Sequence, residues 1–145
     1  MTKKKTFLTV IVVIIILMAT CLVMSFSMQR NVNNSNLSSY PKYYTNVLEQ
    51  EKPVFMFFYA NWCTHCVRFM PVYDELEKTY KDSYNFIKVN VDNIENEALA
   101  RDFYVTGIPA VFIVEPKTQK KYSISNYLLH DLDALKNELD KFLRR

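Results

Sequence analysis

An apolar, aromatic run that leads into two closely spaced cysteines is the feature that most limits how this chain can fold. Residues 55–60 read FMFFYA, and Cys63 and Cys66 follow within a few residues. The continuous apolar run is typical of a strand buried on both faces, and the polar sequence over residues 67–80 is typical of a helix. The sequence therefore predicts that the chain turns from strand to helix at the cysteines.

This turn would place the two sulfurs in a reactive setting. Cys63 would lie at the helix N-terminus, where the helix dipole and unpaired N–H groups stabilise a thiolate. Cys66 lies one helical turn further along and can reach the first sulfur. The arrangement predicts reversible dithiol–disulfide exchange, with Cys63 as the nucleophile and Cys66 as the thiol that resolves the mixed disulfide.

A zinc site is the main alternative for two cysteines at this spacing, but further ligands are scarce. Structural zinc takes four ligands, whereas the chain has one other cysteine, Cys21, and two histidines, His65 and His130. We therefore predict no metal site and no cofactor. A redox-inert pair, or one that handles a soft metal such as Cu(I) through Cys63, Cys66 and His65, stays open as an alternative.

Two motifs resemble the thioredoxin superfamily. Residues 59–66 read YANWCTHC, with Pro71 five residues after the second cysteine, and they are similar to that family's active-site segment. Residues 106–109, Thr-Gly-Ile-Pro, are similar to its second signature. The resemblance covers approximately residues 41–143. It implies that Pro109 is cis and faces the cysteines, which form a redox-active disulfide.

The resemblance implies an α/β fold, a thioredoxin-like βαβαββα core with a mixed central sheet and flanking helices. The residue patterns predict elements in that order. The predicted helices cover residues 41–50, the segment from the cysteines to 80, residues 96–104, and a closing helix marked by Leu132, Leu135, Leu139 and Phe142. The predicted strands cover residues 53–59, 86–91, 110–114 and 122–124. His130 is expected at the surface, at the start of the closing helix.

Several positions near the cysteines depart from the family pattern. Thr64 and His65 stand between the cysteines in place of Gly-Pro, Phe57 replaces a buried aspartate, and Tyr59 replaces a common tryptophan. A charged His65 would favour the thiolate of the first cysteine, as in disulfide isomerases, and would make the disulfide more oxidising than that of thioredoxin. Trp62 is expected to shield the pair and to contact substrate, and the alternative is a tryptophan that only packs on the surface.

Gly107 is the only glycine in the chain and directly precedes Ile108-Pro109. In a chain so poor in glycine, we expect one to remain where the backbone requires it. The alternative is an ordinary turn glycine before a trans proline.

The N-terminus predicts a membrane anchor. Residues 1–5 form a basic tip with three lysines, and residues 6–28 carry no charge and are rich in Val, Ile, Leu and Met. That length exceeds the ~20 apolar residues that cross a bilayer. The lysines would keep the N-terminus cytoplasmic and place the domain outside the cytoplasm, in a single-pass protein of the cell membrane. A cleaved signal peptide is the alternative, and Cys21 is expected to have no redox role.

The remaining sequence divides into a flexible Asn/Ser-rich linker at residues 29–40 and one domain at residues 41–145. Of the 18 basic residues, 15 remain when the three N-terminal lysines are set aside, and they balance the 15 acidic residues. We therefore expect no nucleic-acid binding. The expected partners are protein thiol or disulfide substrates, an unidentified redox partner that recycles the pair, and the membrane through residues 6–28. A tethered module that holds clients beside Pro109 without cysteine chemistry is a further alternative.

Overall fold

The computed structural model describes residues 11–25 and 39–145. Residues 11–25 are helical and are called α1. The chain divides into two units, of which the second runs from Tyr40 to Arg145. The predicted anchor at residues 6–28 extends beyond the described residues at both ends, and the basic tip and most of the linker lie outside them. None of the helices in the described ranges combines the length and the apolar character that a membrane span requires.

The second unit contains the predicted order of elements. They are α2 (Lys42–Leu48), β1 (Val54–Tyr59), α3 (Thr64–Tyr80), β2 (Asn85–Asn90), α4 (Glu97–Asp102), β3 (Ala110–Val114), β4 (Lys121–Ile124) and α5 (Leu132–Leu143). Short 3₁₀ turns cover Ile94–Asn96 and Asn126–His130. From β1 onward the order is βαβαββα, which confirms the predicted thioredoxin-like core.

The four strands form one mixed sheet in the order β2-β1-β3-β4. Strand β1 is parallel to β2 and antiparallel to β3, and β4 is antiparallel to β3. The last pairs at one end of the sheet are Tyr59 with Asn90, Phe58 with Ala110, and Val111 with Ile124. The chain therefore leaves β1, β2 and β4, and enters β3, at the same edge of the sheet. We call this the site edge, because Cys63 follows β1 there.

Strand β1 is buried on both faces, as its sequence predicted. Phe55 and Phe57 pack in a cluster with side chains of α3 and α5. Val54, Met56 and Phe58 pack on the opposite face with side chains of α2 and α4. Because residues alternate across a strand, every position of this run is apolar when helices cover both faces. The result is a helix–sheet–helix sandwich that fixes the position of the turn after β1.

His130 lies at the surface as expected, but the closing helix begins two residues after it, at Leu132. His130 is exposed and ends the 3₁₀ turn, and α5 follows Asp131. The Asp131 carboxylate accepts a hydrogen bond from the backbone N–H of Ala134 at 2.9 Å. This N-cap determines where the helix begins, while the 3₁₀ turn before it is anchored by the buried side chain of Leu129.

The expectation for Gly107 is wrong. Its φ lies outside the left-handed region, and a Cβ added there would meet no atom of the described residues within 4 Å. The residue of this segment that has a left-handed backbone conformation is Tyr104, with a φ of 50°. Tyr104 follows shortly after α4, where a left-handed residue commonly ends a helix, at a cost of about 1–2 kcal/mol for a residue with a Cβ.

Candidate active site

Cys63 is the N-cap residue of α3. Its backbone is extended, with φ of −81° and ψ of 103°, and its Sγ accepts a hydrogen bond from the N–H of Cys66 at 3.1 Å. The two cysteines form a disulfide, with their Cα atoms 5.2 Å apart. In the reduced protein, the same N–H group and the helix dipole would stabilise a negative charge on Cys63.

The two sulfurs differ in accessibility. Cys66 is 0% exposed, whereas Cys63 keeps 6% of its surface in contact with solvent. Both belong to the core cluster formed with α3 and α5. Of the two residues, only Cys63 therefore has any contact with solvent through which an incoming sulfur could approach.

Trp62 lies beside the pair and is 70% exposed. Its indole Nε1–H donates to both carboxylate oxygens of Asp92, at 3.0 and 3.2 Å. Sequence reasoning assigned Asp92 no role. The available signal was its position two residues after β2, because β1 and β2 end side by side at the site edge.

Pro109 is buried, and the Ile108–Pro109 peptide bond is cis, as the resemblance implied. Ile108 packs against the cluster that contains both cysteines. The segment also borders a groove of about 320 Å³, whose lining includes Tyr104, Thr106, Pro109, Ser123, Ile124 and Asn126.

Comparison with known proteins agrees with this geometry. The sequence matches the thioredoxin family model over residues 35–141. The chain belongs to the thioredoxin family. A chloroplastic thioredoxin-like protein of Arabidopsis thaliana is 28% identical over 125 residues, which cover 83% of this chain and 48% of the plant protein. Protein disulfide-isomerase 1 of Dictyostelium discoideum is 34% identical over 99 residues, which cover 66% of this chain and 26% of the isomerase.

A solved structure gives a similar result. The oxidised thioredoxin of Plasmodium falciparum superposes with a TM-score of 0.55 at 28% identity, and the match covers 72% of this chain and 94% of that protein. This thioredoxin-family chain spans about half of the plant relative and about a quarter of the isomerase.

Thr64 and His65 occupy the first turn of α3, and both side chains are exposed. Within the described residues, no three His, Cys, Asp or Glu side chains are arranged to hold a metal ion.

The core next to Cys66 lacks the carboxylate typical of thioredoxins. Phe57 is fully buried, and its ring lies 4.9 Å from that of Phe69 and 5.7 Å from that of Tyr73. Lys88 is exposed and pairs with Asp74 at 3.1 Å. Among the described residues no Asp or Glu side chain is buried, so none of their carboxylates is buried near Cys66.

Proposed function

We propose that this thioredoxin-family chain is an extracytoplasmic thiol–disulfide oxidoreductase that exchanges its Cys63–Cys66 pair with protein substrates. One observation carries the proposal: Cys63 caps α3 and accepts the N–H of Cys66, while the Cys66 sulfur lies buried beside it. The arrangement favours a thiolate on the reachable sulfur and holds the resolving sulfur within bonding distance.

In the reductive direction, the Cys63 thiolate attacks one sulfur of a substrate disulfide. A Cys63–substrate disulfide forms, and the other substrate sulfur leaves as a thiolate and takes up a proton. Cys66 then loses its proton and attacks the Cys63 sulfur, which releases the second substrate thiolate and closes the Cys63–Cys66 disulfide. The substrate gains two electrons and the pair loses two. In the oxidative direction, a substrate thiolate attacks the closed disulfide and the same steps run backwards.

Exposed apolar side chains at the site edge support protein substrates. Trp62 is 70% exposed, Ile94 81%, Tyr104 87% and Tyr127 93%. They follow β1, β2, α4 and β4, so all four lie in segments that adjoin the site edge. Apolar groups in contact with water around a reactive sulfur suit a polypeptide client, which buries them on docking.

The extracytoplasmic location and the membrane anchor are supported by the N-terminal sequence. Residues 6–28 carry no charge, and the three lysines precede them. An oxidising compartment would keep the pair available as a disulfide donor, and a separate redox partner would then restore it after each exchange.

Cysteine variants test the activity. Cys63→Ser should abolish protein disulfide exchange, because the attacking sulfur is lost. Cys66→Ser should accumulate Cys63–substrate mixed disulfides, because no thiol resolves them. Cys21→Ser is the matched control and should leave turnover unchanged. The measurements are dithiol-driven insulin reduction, refolding of reduced ribonuclease, and non-reducing electrophoresis of trapped complexes.

Two results would contradict the proposal. The first is a wild-type protein that exchanges disulfides no faster than its Cys63→Ser,Cys66→Ser double variant. The second is unfolded-client binding that survives in the double variant without any exchange in the wild type, which would identify a client-holding module.

A further inference from the structure

A chain of hydrogen bonds leads from α2 to the tryptophan beside the redox pair. The Tyr43 hydroxyl donates to Asn96 Oδ1 at 2.6 Å, and Asn96 Nδ2 donates to the carbonyl of Asn90 at 2.9 Å. The Asn90 side-chain oxygen accepts the backbone N–H of Asp92 at 3.0 Å. The Asp92 carboxylate then accepts the indole N–H of Trp62.

We propose that Tyr43 and Asn96 are positioning residues, which fix the loop after β2 and, through Asp92, the orientation of the Trp62 indole. The inference rests on the proposed exchange activity, since its purpose would be to present a fixed aromatic face to the client next to the attacking sulfur. Neither residue touches the sulfurs, so both act through Asp92.

Burial makes Asn96 the fixed point of this chain. Its side chain is 4% exposed, and both ends of its amide are hydrogen-bonded. A buried amide that lost either partner would pay a desolvation cost, so the loop is held in the one arrangement that satisfies both ends. The Tyr43 hydroxyl is protonated at neutral pH and can donate, and burial, with Glu95 and Tyr59 contributing, raises its pKa further, to about 12.

Trp62 needs such support because most of its surface faces solvent. An exposed side chain that is free to rotate loses that freedom when a client docks on it, and the loss reduces the rate of productive encounter. Fixing the indole in advance avoids this loss. From the usual cost of ordering one side chain, release of the indole should slow exchange with a protein client by about two- to tenfold.

The test uses Tyr43→Phe and Asn96→Ala, with Tyr44→Phe as the matched control. Tyr44 is the next residue of α2, and its ring packs against Phe103 instead of reaching Asn96. Trp62 is the only tryptophan in the chain, so fluorescence excited at a wavelength that tyrosine does not absorb reports Trp62 alone. Both test variants should lower the fluorescence anisotropy of Trp62 and raise KM for a protein client. The rate with a small disulfide such as oxidised glutathione should stay constant, because the cysteine chemistry is intact.

Asp92→Ala should reproduce the loss of anisotropy, and Asp92→Asn should restore part of it, because the amide keeps an acceptor oxygen. Wild-type anisotropy in Asn96→Ala would overturn the inference. If Asn96→Ala does not fold, Tyr43→Phe decides, since it removes a single oxygen atom. A wild-type protein without exchange activity would reject the proposed function, whereas the anisotropy values would still decide whether Tyr43 and Asn96 fix the indole.

Discussion

At the scale of single residues, Cys63 and Cys66 share one disulfide but experience different surroundings. The helix N-terminus and the N–H of Cys66 act on the Cys63 sulfur. The Cys66 sulfur is enclosed by apolar side chains, including the ring cluster around Phe57. Because a helix N-terminus stabilises a thiolate and apolar burial penalises one, the two environments should separate the pKa values of the two thiols.

We therefore predict that the pKa of the reduced Cys63 thiol lies well below the ordinary value of ~8.5, and that the pKa of Cys66 lies above that of Cys63. The measurement is the rate of iodoacetamide alkylation against pH, followed by mass spectrometry. The Cys21→Ser,Cys66→Ser variant leaves Cys63 as the only thiol, and the Cys21→Ser,Cys63→Ser variant leaves Cys66 as the only thiol. An alkylation midpoint near 8.5 at Cys63 would contradict helix-end activation.

At the scale of elements, Asp102 joins three parts of the domain. Lys121 of β4 forms an ion pair with the Asp102 carboxylate at the end of α4, and it also donates to the Asp102 carbonyl at 3.0 Å. Tyr40, just before α2, hydrogen-bonds to the same carboxylate. Burial by itself would raise the pKa of Asp102, but the hydrogen bonds from Lys121 and Tyr40 outweigh it and lower the pKa below its ordinary value of 3.8.

Replacing Asp102 should therefore destabilise the domain in a pH-dependent way. A carboxyl group whose pKa is lowered by folding contributes stability above its unfolded pKa, and that contribution is lost as the pH falls through the folded pKa. Since the Asp102 side chain is 42% exposed, solvent screening limits the loss for Asp102→Asn to about 1 kcal/mol at pH 7. The loss should shrink at pH 3.

Urea unfolding at pH 7 and pH 3 measures this difference. Glu97→Gln is the matched control, because Glu97 pairs with Arg101 on the exposed side of the same helix and should contribute no more than ~0.5 kcal/mol. An equal loss for Asp102→Asn at both pH values would show that shape, and not charge, explains the effect.

Local patterns explain which elements the sequence could predict. The uninterrupted apolar residues of β1 predicted a strand that is buried on both faces. The spacing of Leu135 and Leu139 predicted a helix with one buried side, and both leucines are 0% exposed. The cysteine positions were predictable because a helix start is a local event. The 3₁₀ turn at Asn126–His130 was not, since it has no periodicity of its own.

Contacts between distant residues left no local signal. Trp62 and Asp92 are 30 residues apart, and Tyr43 and Asn96 are 53 apart. The first pairing depends on the sheet order, which brings the segments after β1 and β2 together. The second depends on α2, which precedes β1, packing on the sheet face next to the segment that follows β2. The expectation for Gly107 failed for a related reason, because composition alone does not show which residue of a segment takes the left-handed conformation. In this segment that residue is Tyr104.

At the scale of the whole molecule, the distribution of charge bears on where the domain works. The three lysines that account for the net charge of +3 all lie in residues 1–5, and the rest of the chain is balanced. A balanced domain has no general electrostatic attraction for nucleic acid or for an anionic lipid surface. We therefore attribute the proposed membrane association to residues 6–28 alone.

This proposal predicts how trypsin treats cells that express the full chain. Arg30 is the only basic residue between residues 6 and 41, so it offers the one tryptic site between the proposed anchor and the domain. With the domain outside the cytoplasm, trypsin added to intact spheroplasts should cut after Arg30 and release a fragment that begins at Asn31. Electrophoresis and mass spectrometry of the supernatant would detect it, and Arg30→Gln should suppress its release. Release only after the membrane is lysed would show the opposite orientation. A domain already free in the medium before trypsin is added would show that the N-terminal segment is a cleaved signal peptide.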